Sequence, residues 1–191
     1  MRRLLLASSL PLSLTACAVA GVDPVVSAPA EIDAASVTGA VSATTAWRRL
    51  TTELPGSWQA PLGTHAITVT YRITARESVL LETWMPGTAA ETLSAYHLDG
   101  DRLVVTHYCG QHNQPRLHLA DAADGLRFAR FDATDLDPNE AALGELTLTL
   151  DQDTLVRDEV YTLGEARERT TLTFTRMDAS PAPGLSSPSQ P

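Results

Sequence analysis

From residue 65 to residue 75 the chain alternates without a break. Ile67, Val69, Tyr71 and Ile73 fall on one side, and Thr68, Thr70, Arg72 and Thr74 on the other. A period of two belongs to an extended strand with one buried face and one wet face, and a helix cannot satisfy it. Runs of the same character recur at 78–85, 91–98, 102–109, 115–120, 126–133, 145–150, 154–163 and 170–177, and another strand opens at Gly56-Ser57-Trp58. Turn formers punctuate them: Pro86-Gly87, Asp99-Gly100, Asp124-Gly125, Asp137-Pro138 and Leu163-Gly164. Short strands at even spacing predict an all-β fold, an up-and-down antiparallel β-barrel of about 8–10 strands or a sandwich. Closure into a barrel removes the exposed edges that such a sheet would otherwise carry. The one helical pattern is short, residues 46–54, with Trp47, Leu50 and Leu54 on one side and Pro55 as its stop.

The ends of the chain read differently. Met1-Arg2-Arg3 is followed by a mostly apolar run, 4–14, too short to span a membrane and laid out as a secretory signal. Leu14-Thr15-Ala16-Cys17 resembles a bacterial lipobox. That resemblance implies cleavage before Cys17, lipidation of that cysteine, and attachment to the outer membrane facing the periplasm. Ala18, rather than an aspartate, follows the cysteine and fits that sorting. Ordinary cleavage after Ala18-Val19-Ala20 is the alternative and gives a soluble exported protein. The expected organisation is a leader over 1–16, a lipidated cysteine and Ala/Ser/Thr/Pro-rich tether over 17–45, a barrel over 46–177, and a Pro/Ser tail over 178–191.

Composition removes some function classes. The formal net charge is −9 and no lysine is present, so a basic surface for a nucleic-acid backbone is not expected. The two cysteines are Cys17 and Cys109; with Cys17 at the cleavage site, no intramolecular disulfide is expected. No Gly-rich phosphate loop, GxSxG elbow or glycosidase-type carboxylate pair stands out, and no cofactor is expected. The oligomeric state is left open.

A short helix followed by Gly56-Ser57-Trp58 at the first strand is similar to the opening of lipocalins. In that fold an arginine near the end of the barrel packs on the tryptophan. Arg176 shares parity with Leu172 and Phe174 on the last strand, so it is the expected cation over Trp58, closing the barrel base. The central stretch more closely resembles a family of uncharacterised bacterial lipocalin-like lipoproteins. It reads Tyr96-His97, Asp99-Gly100-Asp101, Leu103, Thr106-His107-Tyr108-Cys109, and Asn113-Gln114-Pro115-Arg116. The resemblance spans about 58 to 176 and implies a fold, not an activity.

Asp99-Gly100 between alternating runs predicts a two-residue hairpin turn, pairing Tyr96 with Leu103 and His97 with Arg102. One face then carries Ser94, Tyr96, Leu98, Leu103, Val105, His107 and Cys109, and this face is placed inside. Glu82 shares parity with Leu80 and Trp84, and Arg130 with Leu126 and Phe128. A carboxylate and a guanidinium on inward faces need partners, and Glu82 is expected to pair with Arg130. Tyr71, Glu82, Trp84, Tyr96, His107 and Arg130 are therefore candidate contacts for a small apolar or amphiphilic ligand inside the barrel. Gln114 and Arg116, where the chain turns into the next strand, are candidates for guarding its mouth, or else serve as a turn and an ion-pair partner.

Two chemical alternatives are weaker. A zinc site from His107, Cys109 and His112 lacks a fourth ligand. A Cys109–His107 nucleophile pair on one strand lies side by side, about 7 Å apart, without an orienting group. The expectation is thus a binding barrel, with a filled, non-enzymatic envelope protein as the alternative and an enzyme as the lesser one.

Overall fold

A computed structural model describes residues 41–177. The order is a helix α1 (Ala43–Glu53), then ten strands: β1 (Gly56–Leu62), β2 (His65–Thr74), β3 (Val79–Trp84), β4 (Thr92–Asp99), β5 (Arg102–Tyr108), β6 (Gln114–Asp121), β7 (Leu126–Thr134), β8 (Ala142–Asp151), β9 (Thr154–Leu163) and β10 (Ala166–Arg176). Each strand pairs antiparallel with its sequence neighbour, and β1 pairs with β10, so the sheet closes into an up-and-down barrel. The all-β barrel with one short leading helix is the expected fold.

The boundaries differ where the local signal was weak. α1 begins at Ala43 rather than 46, because Ser42 is its N-cap, accepting a hydrogen bond from the Thr45 amide through its side chain. β8 begins at Ala142 rather than 145, because a register shift between Leu143 and Glu145 breaks the alternation there. A β-carbon on Gly144 would stand 2.9 Å from Thr162 Cγ2, which explains a glycine at the irregularity. β10 begins at Ala166 rather than 170, its first residues being exposed on both faces.

The β4–β5 hairpin corrects the expected register. The two turn residues are Gly100 and Asp101, so Tyr96 faces Val105 and His97 faces Val104. Gly100, at φ 62, supplies the left-handed conformation that a two-residue turn needs at its first position. The register moves by an even number of residues, so each side chain stays on its expected face. Tyr96, Leu103, Val105 and His107 are buried inside, while Leu98 near the turn is partly exposed.

α1 plugs one end. Ala46 and Leu50, with Leu54 at its C-cap, are fully buried with Trp58 at the start of β1. Trp58 Nε1 donates to Leu54 O at 2.8 Å, and Arg49 Nη2 donates to Leu150 O at 2.8 Å, tying the helix to β1 and β8. Trp47 is half-buried against the same core. The seam is short: Trp58 pairs with Arg176 and Gln59 with Thr175. The Arg176 guanidinium lies 4.1 Å from the Trp58 ring centroid and donates to the carbonyls of Glu53 and Pro55. One side chain thus stacks on the tryptophan, caps the helix exit and spans the seam. Above this plug the barrel is filled by Tyr96, Phe128, Phe174 and a set of leucines from β3 and from β5 to β9.

Candidate functional site

A row of polar side chains crosses four adjacent strands. Register puts Tyr71 of β2 beside Glu82 of β3, Glu82 beside Ser94 of β4, and Ser94 beside His107 of β5. All four point inward and are buried. From β9, on the far side of the barrel, Arg157 reaches them with 1% of its side chain exposed.

Glu82 is the hub. Its Oε1 accepts from Trp84 Nε1 at 2.9 Å and from Ser94 Oγ at 3.1 Å. Its Oε2 accepts from Tyr96 OH and from Arg157 Nη1, each at 2.7 Å. A carboxylate has about four acceptor sites, so its capacity is used. Burial alone would raise the Glu82 pKa, but the Arg157 charge, with the Tyr96 and Arg157 hydrogen bonds, holds it below the ordinary value of 4.5. Burial and the Glu82 charge together keep the Tyr71 and Tyr96 hydroxyls protonated well above 10.0. Arg157 is shared: Nε donates to Glu159 Oε1 at 2.7 Å, and its guanidinium carbon lies 5.0 Å from the Trp84 ring centroid. Burial would lower the pKa of Arg157, but the Glu82 and Glu159 carboxylates raise it well above its ordinary value.

The expected partner of Glu82 was Arg130, and this is corrected. Arg130 Nη2 donates to Thr162 Oγ1 at 3.0 Å, and Glu82 takes Arg157 instead. The pairing of β7 with β8 ends at Ala129 and Glu145, so Arg130 has a strand partner only on the other side, Leu117 of β6. Arg157 is level with Leu148 inside the barrel and meets Glu82 across it. β9 was located from the sequence, but no inward face was assigned to it. The missed signal was Leu155, Arg157, Glu159 and Tyr161 at a spacing of two, a face with ionic partners waiting inside.

A pocket of about 200 Å³ opens above this row, lined by Trp84, Thr92, His107, Cys109, Glu159 and Tyr161. These residues sit at the end of β3, the start of β4, the end of β5 and the later part of β9, opposite α1. His107 forms its floor, with Nδ1 3.0 Å from Ser94 Oγ and Nε2 3.4 Å from Tyr161 OH. Burial pushes the His107 pKa below 6.5, and the opposing pull of Glu82 does not restore it. The Tyr161 hydroxyl is raised, chiefly by burial and then by Glu159. Of the sequence candidates, Trp84 and His107 face this pocket, while Tyr71, Glu82 and Tyr96 support it from below. Thr92, Glu159 and Tyr161 were not among the candidates, and Cys109 was weighed only as a metal ligand or nucleophile.

Gln114 and Arg116 do not line it. Arg116 is on the outer wall, where Nη2 donates to Asp132 and the guanidinium lies 5.4 Å from the Phe131 ring centroid. Gln114 bridges the His112 carbonyl and the Thr134 hydroxyl. Pro115 between them is the buried residue, so both neighbours face outward. Their neighbour Asn113 is fully buried and donates from Nδ2 to Ala141 O at 3.2 Å, joining loop 109–113 to loop 135–141 beside the pocket. Cys17 lies outside the described residues. His112 does not join His107 and Cys109: among the described residues, no three His, Cys, Asp or Glu side chains are grouped to hold a metal ion.

Three other hollows are present: those of about 220 and 550 Å³ border Val41 and Met177, where the described chain begins and ends, and one of about 190 Å³ lies by the β9–β10 turn at Leu163 and Ala166. The mouth pocket is instead built wholly from paired strands and a tied loop. Comparison with known proteins finds no matching family model and no matching curated protein.

Proposed function

We propose that this barrel is a small-molecule-binding module whose site is the pocket at the mouth opposite α1. The observation that carries the reading is the placement of His107. It is buried, fixed from behind by the Glu82–Ser94 hydrogen bonds, and faces an open pocket with aromatic side chains, Trp84 and Tyr161, around it. Convergent polar groups held rigid in a concave, partly apolar site are what small-molecule recognition requires. The packed interior limits the ligand to the mouth, so the ligand is small, one ring or a short chain. The closed barrel supports the resemblance to lipocalin-like proteins.

Native mass spectrometry of the full chain purified from its own host tests this. The expected result is an added mass that leaves on denaturation and is absent from the His107→Ala variant. A bare mass, together with no response of pocket resonances in a fragment screen, contradicts it. The filled interior favours a second reading, an interaction protein with no ligand, and that same negative result supports it.

The same proposal places the protein in the cell envelope, tethered to the outer membrane through Cys17. The support is the order of basic residues, apolar run and Leu14-Thr15-Ala16-Cys17. Labelled palmitate incorporated by the wild type and lost in Cys17→Ala is the expected outcome; equal labelling of both contradicts it.

A further inference from the structure

The pocket has a fixed hydrogen-bond polarity, and it follows from counting protons. Ser94 has one hydroxyl proton, and Glu82 Oε1, which can only accept, receives it at 3.1 Å. Toward His107 Nδ1, 3.0 Å away, Ser94 Oγ then offers only a lone pair. The ring proton of His107 is therefore on Nδ1. With the ring neutral, as its burial favours, Nε2 is a bare acceptor. Among the described residues its one hydrogen-bond neighbour is the Tyr161 hydroxyl at 3.4 Å, long for an O–H donor.

Glu159 adds a second acceptor. Among the described residues its one hydrogen bond is through Oε1, to Arg157 Nε, and it lines the pocket with 14% of its side chain exposed. Arg157 does not reverse the sign of the site, because Glu82 and Glu159 place two carboxylates on its one positive charge. Trp84 and Tyr161 add aromatic surface, which suits a cation or the apolar body attached to it.

We propose that the pocket selects a ligand with a protonated amine at its polar end and a small apolar body. Its N–H is donated to His107 Nε2, its charge faces Glu159, and its body lies against Trp84 and Tyr161. This rests on the mouth pocket being the binding site, and it adds the chemical class.

Calorimetry of the full chain with benzylammonium, benzyl alcohol and benzoate tests it, with pocket resonances followed by NMR. Benzylammonium is expected to bind about tenfold or more tighter than benzoate. Glu159→Gln is expected to remove most of that preference, chiefly by weakening benzylammonium. Nitrogen NMR of the free protein is expected to show His107 protonated at Nδ1 and bare at Nε2. Benzoate binding as tightly as benzylammonium at this pocket overturns the ligand class and leaves the site standing. Protonation at Nε2 also overturns the class. Failure of all three probes to shift any pocket resonance overturns both the class and the site.

Discussion

At the helix end of the barrel the connections are the short segments 75–78, 100–101, 122–125 and 152–153, and α1 fills the opening. At the other end three connections are longer, 85–91, 109–113 and 135–141, and no helix or strand among the described residues covers the mouth. Each end carries a tryptophan with an arginine over it. At the helix end Arg176 lies over Trp58, binds two backbone carbonyls and pairs with the exposed Asp153 carboxylate, so the polar atoms of the pair are turned to sealing the fold. At the open end Arg157 lies over Trp84 and binds two carboxylates, one of which faces a pocket. The same pairing is used once to close the chain on itself and once to build a charged floor under an opening.

Substituting the two tryptophans is the strongest way to break the comparison. Trp58→Ala empties a fully buried site at the seam and is expected to cost about 3–5 kcal/mol in urea unfolding. Trp84→Ala removes a half-buried ring and one of four bonds to Glu82, and is expected to cost about 1–3 kcal/mol while abolishing ligand binding. Equal costs would mean that the two ends are equally structural.

Arg157→Met strands Glu82 as an unpaired buried charge and is expected to destabilise by about 3–5 kcal/mol. Glu82→Gln combined with Arg157→Met should be more stable than Arg157→Met alone, because no uncompensated charge is left. If the double variant is the less stable of the two, the pair is not the organising contact of the network. Arg176→Ala is expected to cost about 1–2 kcal/mol, from the stacking and the two carbonyl contacts, without changing ligand selectivity.

The pH dependence is the mildest test. His107 and Glu82 both have folded pKa values below their ordinary 6.5 and 4.5, so the unfolded chain takes up protons before the fold does. Their stabilisation is present above pH 6.5 and is lost progressively as pH falls through that value and then through 4.5. Tyr71 and Tyr96 act in the opposite range: above pH 10.0 the unfolded chain releases their protons and the fold does not, so stability falls as pH rises. Midpoints of urea unfolding between pH 4 and 11 should therefore form a plateau with two declining limbs.

Much of this was legible because a barrel repeats a period of two. Parity alone placed Glu82, Tyr96 and His107 inside and Arg176 beside Phe174 on the inward face of the last strand. The β4–β5 register was misplaced because Asp99-Gly100 looks like a complete turn, while only Gly100 supplies the left-handed residue. Which inward charges meet was not legible, because Glu82 and Arg157 are 75 residues apart and are brought together across the barrel. Parity says that a side chain faces the interior, but not which strand lies opposite. Of the two readings left open for Gln114 and Arg116, the structural one holds, with Arg116 paired to Asp132, because Pro115 is the inward member of that strand.

The chain has three tryptophans, Trp47 on α1, Trp58 at the seam and Trp84 at the mouth, and they report separately on the two ends. Fluorine NMR of the fluorotryptophan-labelled full chain during a benzylammonium titration is the most direct test. A saturable shift of the Trp84 signal, with Trp47 and Trp58 unmoved, is the predicted result. A shift at Trp58 or Trp47 without one at Trp84, or no shift at all, contradicts a binding site at the open end.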